Sequence, residues 1–235
     1  MDMLPRISPE WLDEPVIVAA SGPSLTASCA RECRLARWLH GWRVLAVNDA
    51  CKALPWADAM YAADISWWRT HEGAKGFNGI KYTSHSDASS QFCDDKTELI
   101  REFKDLHLVN AHPGKDFSTN QQYINYGEQA HSGFQAVNLA LLLGAKCVVL
   151  VGFDYRFIDG KSHFFGDHPY GLSQFEESKF RELACAFNTA PCSKIVNATP
   201  GSRITAYPQV SLDDALCIRD GMLHRHRPIA DTSAD

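Results

Sequence analysis

The chain has 235 residues, of which 45% are hydrophobic and 22% are charged, and its formal net charge is -5. The composition is typical of a globular protein, and the length fits one large α/β domain with its own hydrophobic core. The negative charge argues against a nucleic-acid binder that works through bulk electrostatics. The first half of the chain then alternates apolar runs with segments of helical spacing.

Continuous apolar runs predict strands over Val16–Ala20, Val44–Val47 and Met60–Ala63, because uninterrupted apolar residues suit strands that are covered on both faces. Between the first two runs, apolar residues at helical spacing predict a helix that ends near Gly41. Its apolar positions are Leu25, Cys29, Leu35, Trp38 and Leu39.

The stretch "HSGFQAVNLALLLGAKCVVLVGFD" is the clearest unit of the sequence. Ser132 is the predicted N-cap of a helix that runs to Leu143 and stops at Gly144, and the strand "CVVLVG" follows. A later helix is predicted from Gln174 to about Phe187, followed by a strand in "SKIVNAT". Alternation of this kind predicts an α/β fold, a Rossmann-like three-layer sandwich with a mostly parallel central sheet.

We predict a single nucleotide-binding domain over residues 15–222, with a lead-in of 1–14 and a tail of 223–235. Near its end, "SLDDAL" predicts a short helix capped by Ser211 and Asp214. Two long polar segments, 110–128 and 155–173, have no helical or strand period. Long irregular segments in compact domains are often lids, so both are lid candidates.

Polar residues follow each predicted strand, where a parallel sheet binds its ligands. Beyond these strand ends we expect a shared crevice for a nucleotide. The candidate binding residues are Gly22, Pro23, Ser24, Asn48, Asp49, Asp64, Ser132, Gly133, Gly152, Asp154 and Arg156.

The turn "SGPSL" has the parts of a phosphate cradle. Gly22 is expected to allow a positive φ and close approach of a ligand, and Pro23 is expected in the first helical turn. The helix that follows would then direct its free N–H groups at an anion, with the Ser24 hydroxyl beside them. A plain strand–turn–helix connection is the alternative.

Histidines are the natural candidates for a general base, since their pKa lies near neutral pH. His163 and His168 lie shortly after Asp154 and are the predicted catalytic residues. His112 and His131 are candidates of second rank. We predict no metal site, because the spacing of His163 and His168 is a poor metal signature.

Eight cysteines are scattered along the chain without a C-x-x-C pair. We expect them to be reduced thiols in a cytoplasmic protein, because disulfide frameworks belong to short secreted chains. We expect neither a signal peptide nor a membrane span, since no apolar run is long enough.

The ordered series "GPSL", "VND", "SG", "LGAK", "VGFD" and "DGKSH" resembles the MptE-like family, which includes 6-hydroxymethylpterin diphosphokinases and motility accessory factors. It also resembles the bacterial sialyltransferases that use CMP-sialic acid. Those enzymes have G-x-G-P-S-L in the first turn, where this chain has Ala20 in place of the first glycine. The resemblance covers roughly residues 16–216.

The resemblance implies a Rossmann-like fold that binds a nucleotide or nucleotide-sugar. It implies that Gly22 and Ser24 lie on the phosphate side, that Ser132 and Gly133 contact the nucleotide, and that Asp154 lies near the ribose. The expected activity is transfer of a group from a nucleotide-activated donor to a hydroxyl acceptor, glycosyl transfer first.

Two alternatives accompany this expectation. An ATP-dependent diphosphokinase would need Mg²⁺, with Asp49, Asp64 or Asp154 as ligands. A nucleotide-binding module without turnover belongs to a different class of protein. The expected partners are the small-molecule donor and its acceptor, nucleic acid is not expected, and a homo-oligomer is compatible with the sequence.

Overall fold

The computed structural model describes residues 6–86, 98–127, 131–166 and 176–218. Its centre is one eight-stranded sheet in which every paired strand is parallel. The strands are β1 (Pro15–Ala19), β2 (Arg43–Val47), β3 (Ala59–Tyr61), β4 (Ile80–Ser86), β5 (Leu106–His112), β6 (Tyr123–Asn125), β7 (Cys147–Val151) and β8 (Ile195–Asn197). The predicted Rossmann-like parallel sheet is confirmed.

Helices lie between most of the consecutive strands, and one follows the last strand. They are α1 (Ala27–His40), α2 (Ala50–Ala53), α3 (Ile65–Thr70), α4 (Ser132–Leu142), α5 (Glu177–Asn188) and α6 (Leu212–Leu216). Ser211 caps α6, and its hydroxyl accepts the Asp214 N–H at 3.1 Å, as the capping-box pattern predicts. No helix of the described ranges has both the length and the apolarity to cross a membrane.

The strand order is β6-β5-β4-β3-β2-β1-β7-β8. The chain builds the sheet in one direction from β1 and then returns to the other side of β1 with β7. The order therefore reverses between β1 and β7, and this is where an open α/β sheet binds ligands beyond its carboxyl edge.

Two apolar clusters cover the two faces of the sheet. In β1, Val16 and Val18 belong to the cluster that contains α4, while Ile17 and Ala19 belong to the cluster that contains α1. All four are fully buried. Burial on both faces explains why the strand is a continuous apolar run rather than an alternating one.

The buried face of α1 is not the face that carries its large apolar residues. The helix buries the small residues Cys33 and Ala36 against the sheet. Leu35, Trp38 and Leu39 instead lie on the opposite side, with 43%, 78% and 60% of their surface exposed. Apolar residues at helical spacing therefore identified the helix but not its buried face.

The sequence predicted the end of α4 correctly but its N-cap wrongly. Gly144 follows the helix with a φ of +102°, so the predicted glycine stop is confirmed. The predicted N-cap is wrong, because α4 begins at Ser132 and His131 is the capping residue. The His131 Nδ1 accepts the Phe134 N–H at 3.3 Å, so an imidazole takes the place of the usual hydroxyl or carboxylate.

Two segments outside the predicted core contribute to the fold. Residues 110–128 were predicted to be irregular, yet they contain the end of β5 and all of β6. In the lead-in, Ile7 and Trp11 are buried in the cluster around α4. The Trp11 N–H donates to the Leu143 carbonyl at 2.7 Å, which attaches this segment to the end of α4.

Candidate functional site

An open cleft lies at the carboxyl ends of β1, β2 and β7, at the point where the strand order reverses. Its cavity volume is about 110 Å³, and the cleft widens into solvent at its mouth. Seven predicted residues line it, namely Gly22, Asn48, Ser132, Gly133, Gly152, Asp154 and His163. Residues up to 141 positions apart in the chain thus meet in one crevice.

The turn after β1 is held against β7 by Asp154. Both the N–H and the hydroxyl of Ser24 donate to Asp154 Oδ2, at 3.2 and 2.8 Å. The Gly22 N–H donates to the Gly152 carbonyl at 2.9 Å. The donors of the expected phosphate cradle are therefore occupied by a carboxylate of the same chain.

The expected roles of Gly22 and Pro23 need correction. Gly22 is not among the residues with positive φ; a Cβ there would lie 2.0 Å from Asp154 Oδ2, so this position is a glycine because the carboxylate approaches closely. Pro23 does not lie in the first helical turn, since α1 begins at Ala27 with Thr26 as its N-cap. Pro23 lies inside the tight turn closed by the Leu25 N–H and the Gly22 carbonyl at 3.0 Å.

Asp154 is 1% exposed, and its Oδ1 has neither solvent contact nor a hydrogen-bond partner. Burial raises the pKa of Asp154, and the two donors of Ser24 oppose that shift only in part. A buried acceptor without a donor costs free energy. A ligand hydroxyl that donates to Oδ1 would remove this cost.

Three residues at the strand ends that form the cleft have a left-handed backbone conformation. Asn48, Gly152 and Tyr155 have φ values of +50°, +70° and +51°. Asn48 also has a buried side-chain oxygen without a partner. Backbone conformations of this kind are costly for residues other than glycine and concentrate at functional sites.

The N-terminus of α4 supplies donors to the same cleft. The Ser132 hydroxyl accepts the Ala63 N–H at 3.1 Å instead of capping the helix. Within the described part of the chain, the backbone N–H groups of Ser132 and Gly133 make no hydrogen bond, as expected for the first turn of a helix. They and the positive end of the helix dipole favour an anion.

The cleft therefore combines free donors at one wall with unpartnered acceptors at the other. No family model matches the chain, and no curated protein is significantly similar to it. The function is consequently inferred from the geometry of the cleft.

His163 lies in the cleft wall formed by the segment after β7 and is 9% exposed. Its Nδ1 lies 2.9 Å from the Ser162 hydroxyl, and its ring stacks on Phe165 with centroids 5.1 Å apart. The Phe164 N–H donates to the Ser21 carbonyl at 3.0 Å, so the segment is attached to the turn after β1. His168 lies outside the described residues.

His131 also lines the cleft, but it is poorly suited to accept a proton. Burial lowers its pKa to about 3, so the ring is neutral near pH 7. Its Nδ1 accepts the Phe134 N–H, which leaves the ring proton on Nε2. His112 lies on β5 and packs on Tyr123 at the far edge of the sheet.

Five predicted site residues are not among those that line the cleft, namely Pro23, Ser24, Asp49, Asp64 and Arg156. Asp64 is exposed and precedes α3 without capping it through its side chain. Arg156 donates to the Pro200 carbonyl at 3.3 Å, although its charge lies close enough to Asp154 to favour the ionised carboxylate. Within the described residues, no group of three or more carboxylate, imidazole or thiol side chains could hold a metal ion.

Asp49 lies outside the cleft, in a cluster of side chains with Lys52, Trp67 and His71. It is completely buried and accepts hydrogen bonds from Trp67 Nε1 at 2.9 Å and from the His71 ring at 3.0 Å. Lys52 Nζ lies 2.5 Å from the same carboxylate. Both oxygens are thus engaged within the protein, so the structure assigns Asp49 to stability rather than to ligand binding.

We expect Asp49→Asn to lower the free energy of unfolding by about 3 kcal/mol at pH 7, because it removes the negative charge that these buried donors share. Burial alone would raise the pKa of Asp49, but His71, Lys52 and Trp67 together hold it well below its usual range. The stabilisation is therefore present above about pH 4 and is lost as the pH falls further. Urea unfolding between pH 3 and 7, roughly, should show a shallower acid decline in the variant.

Asp64→Asn is the matched control, because Asp64 is an exposed aspartate. It should leave both the free energy of unfolding and its pH profile unchanged. Equal stability of Asp49→Asn and the wild type would show that the cluster does not stabilise the fold.

Sequence reasoning overlooked Ser162 and the capping role of His131, and it related Tyr155 to the site only as a loose counterpart of the phosphate-binding tyrosines of the sialyltransferases. The Tyr155 hydroxyl would lie 2.9 Å from a Cβ on Gly133, so this glycine leaves room for a tyrosine. The only local signal for Ser162 was its position beside His163. The contact between Tyr155 and Gly133 joins distant segments of the chain, so no local sequence pattern could have indicated it.

Proposed function

We propose that the protein binds a nucleotide-activated donor in this cleft and transfers a group from it to a hydroxyl acceptor. One observation supports this proposal above the others. Asn48 and Asp154, which each have a buried acceptor oxygen without a partner, line the same cleft as Ser132 and Gly133, whose amide N–H groups are free. A ligand that fits both must carry hydroxyl donors and an anionic group.

A nucleotide has both features, since its ribose donates hydroxyl protons and its phosphate accepts hydrogen bonds. The proposed orientation directs the ribose hydroxyls to Asp154 Oδ1 and Asn48 Oδ1. The phosphate then lies against Ser132 and Gly133, where the helix dipole adds to the two N–H donors. The resemblance to enzymes that use CMP-sialic acid is consistent with a ribose beside Asp154 and with a nucleotide contact at Ser132 and Gly133.

The phosphate position in this proposal differs from the one expected from the sequence. Ser24 uses both of its donors on Asp154, and a phosphate beside that carboxylate would meet its negative charge. The turn after β1 therefore acts indirectly, by holding Asp154 in place for the ribose.

His163 is the proposed general base. In glycosyl transfer, the acceptor hydroxyl gives its proton to His163 as its oxygen bonds to the anomeric carbon of the donor. The bond from that carbon to the phosphate oxygen breaks, and its electron pair leaves with the phosphate. The N–H groups of Ser132 and Gly133 would stabilise the charge that develops there.

A thermal-shift screen with CMP, CDP, UDP, GDP, ATP and their sugar conjugates tests the binding step. A nucleotide at about 100 times its Kd should add about 2.7 kcal/mol of stability, or roughly 5–10 °C in Tm for a chain of this size. No shift with any of them would contradict the proposal. Binding without turnover of any conjugate would favour a nucleotide-binding module.

The diphosphokinase alternative is separated by its metal requirement. Of the three candidate Mg²⁺ ligands, only Asp154 lines the cleft, because Asp49 and Asp64 lie outside it. Full transfer activity in excess EDTA supports glycosyl transfer, whereas strict Mg²⁺ dependence with ATP would replace it with diphosphate transfer. We also propose a cytoplasmic location. The seven cysteines of the described residues are all free thiols, which is compatible with a reducing compartment.

We expect Asp154→Asn to weaken nucleotide binding about 10- to 100-fold, because a hydrogen bond to a charged group contributes about 1.5–3 kcal/mol. The free energy of unfolding should not fall at pH 7. Since burial raises the pKa of Asp154, its ionisation destabilises the fold as the pH rises through the range between the unfolded and folded pKa. A neutral amide avoids this cost and can still accept from Ser24.

Titration calorimetry and urea unfolding measure the two effects. Asp159→Asn is the control, because Asp159 is an exposed aspartate in the same segment after β7. Unchanged affinity in Asp154→Asn would contradict the proposed ribose contact.

A further inference from the structure

The outer face of α1 carries large apolar side chains in solvent. We define this face by Arg31, Arg34, Leu35, Trp38 and Leu39, which are all exposed. Trp38 is 78% exposed and Leu39 is 60% exposed. Five large hydrophobic residues are exposed within the described residues, and three of them lie on this one helix face. Such clustering marks an interaction surface, whereas single exposed apolar residues are ordinary.

The distribution of side chains along α1 is the reverse of the usual one. The helix turns small residues, Cys33 and Ala36, to the sheet and leaves a tryptophan and two leucines outside. Exposure of these side chains is unfavourable in water by about 25 cal/mol for each Å² of apolar surface. A partner that covers the outer face would recover this free energy.

The charge of the face indicates the chemistry of that partner. Arg31 and Arg34 are exposed on it, and the nearby Glu32 accepts a hydrogen bond from Ser28. Arg37 is already paired with Asp58. The face is therefore cationic on a chain whose net charge is -5, and it suits an anionic partner.

A groove beside the helix extends the same chemistry. Its volume is about 430 Å³ between α1 and Trp56, and its walls include Arg31, Arg34, Leu35 and Trp38. Arginine presents planar donors that match phosphate. Tryptophan and arginine around such a groove suit a group with an anionic head and an apolar body.

Three kinds of partner could cover the outer face of α1: a second copy of the chain, another protein or a membrane surface. A second copy of this chain would bring Arg31 and Arg34 near their symmetry mates, and like charges would repel. A protein partner needs a patch of about 20–30 residues, whereas the exposed apolar residues here occupy one helix face. Peripheral membrane binding needs only a basic helix with a few protruding tryptophan and leucine side chains.

We infer that the outer face of α1 docks on an anionic lipid surface. Trp38, Leu35 and Leu39 enter the headgroup region, and Arg31 and Arg34 bind lipid phosphates. The helix begins beside the turn after β1 and extends about 20 Å to its other end. Trp38 and Leu39 therefore lie far from the cleft, and docking leaves the cleft open to a nucleotide.

Vesicle flotation of the full chain tests the inference. The wild type should bind vesicles of phosphatidylcholine with about one third phosphatidylglycerol at about 0.05 M salt, and should bind pure phosphatidylcholine at least tenfold less. Binding should also fall at about 0.5 M salt, where charges are screened.

Two double variants separate the apolar and ionic contributions. Trp38→Ser with Leu39→Ser should reduce vesicle binding at least tenfold, and Arg31→Gln with Arg34→Gln should reduce it about 25-fold, at about fivefold for each arginine. Because all four residues are exposed, thermal unfolding should be unchanged. Leu12→Ser removes a leucine that is 64% exposed elsewhere, and it should bind vesicles like the wild type.

Absence of binding to the anionic vesicles would overturn the inference, as would binding that neither double variant reduces. Light scattering that shows a dimer of the wild type, dissolved by Trp38→Ser with Leu39→Ser, would assign the face to a second copy instead. Binding of an acidic peptide through this face, without vesicle binding, would assign it to a protein. Nucleotide should not compete with vesicles in any case.

Discussion

Gly22→Ala is expected to lower the free energy of unfolding by about 3 kcal/mol and to abolish nucleotide binding. The added Cβ would lie 2.0 Å from Asp154 Oδ2 and 2.4 Å from the Gly152 carbonyl oxygen. A side-chain rotation could move the carboxylate but not the carbonyl, which belongs to the end of β7. Either β1 and β7 separate locally or Asp154 leaves the cleft, and both changes remove the ribose contact.

Gly160→Ala is the control for this substitution. Gly160 has a φ of +75° and nothing within 4 Å of the added Cβ, so only the left-handed backbone is penalised, by about 1–2 kcal/mol. Urea unfolding and nucleotide titration of both variants separate the effects. Wild-type affinity in Gly22→Ala would show that the contact between Gly22 and Asp154 does not shape the cleft.

His163→Ala is expected to reduce the rate of transfer by about 10²- to 10⁴-fold, the usual contribution of a general base. Nucleotide affinity should change less than about twofold, because the proposed ribose and phosphate contacts involve other residues. His163→Gln serves as a second variant that retains more of the packing against Phe165. Steady-state rates with the donor found by thermal shift, together with titration calorimetry, measure both quantities.

His112→Ala is the control, since His112 lies on β5 at the far edge of the sheet. It should transfer at the wild-type rate. A wild-type rate in His163→Gln would show that the acceptor proton goes to another group. Loss of affinity in parallel with rate would instead make His163 a binding residue.

The sheet and its ligand-binding edge could be predicted from the sequence because their signals are local. "VIVAA" and "CVVLV" are buried on both faces, so each gives an uninterrupted apolar run, with Ser21 directly after the first and Asp154 three residues after the second. Parallel strands bring those ends to one edge. This reasoning led to Gly22, Asn48 and Asp154, which lie together in the cleft.

The partners of these residues could not be predicted, because they depend on register between distant segments. Nothing in "SGPSL" indicates that Ser24 donates to a carboxylate 130 positions away. Asn48 and Asp49 are adjacent at the end of β2, yet Asn48 lines the cleft while Asp49 is buried beside Trp67. A left-handed turn at Asn48 sets the two side chains on different paths.

The outer face of α1 shows a second limit of pattern-based prediction. The large apolar residues of α1 recur at helical spacing, but the sheet contacts the small residues Cys33 and Ala36. Periodicity reports that a helix has an apolar face. It does not report whether that face contacts the core or an external partner.

The central claim is that a nucleotide binds at the β1–β7 switch point with its phosphate at the start of α4. Two-dimensional ¹H–¹⁵N NMR of the full chain, titrated with CMP and then with ADP, tests it most directly. The backbone amides of Ser132, Gly133 and Asn48 should shift with one of these nucleotides, while the indole N–H of Trp67 should not. Shifts centred on Trp67 and His71, or no shifts at these amides with either nucleotide, would contradict the claim.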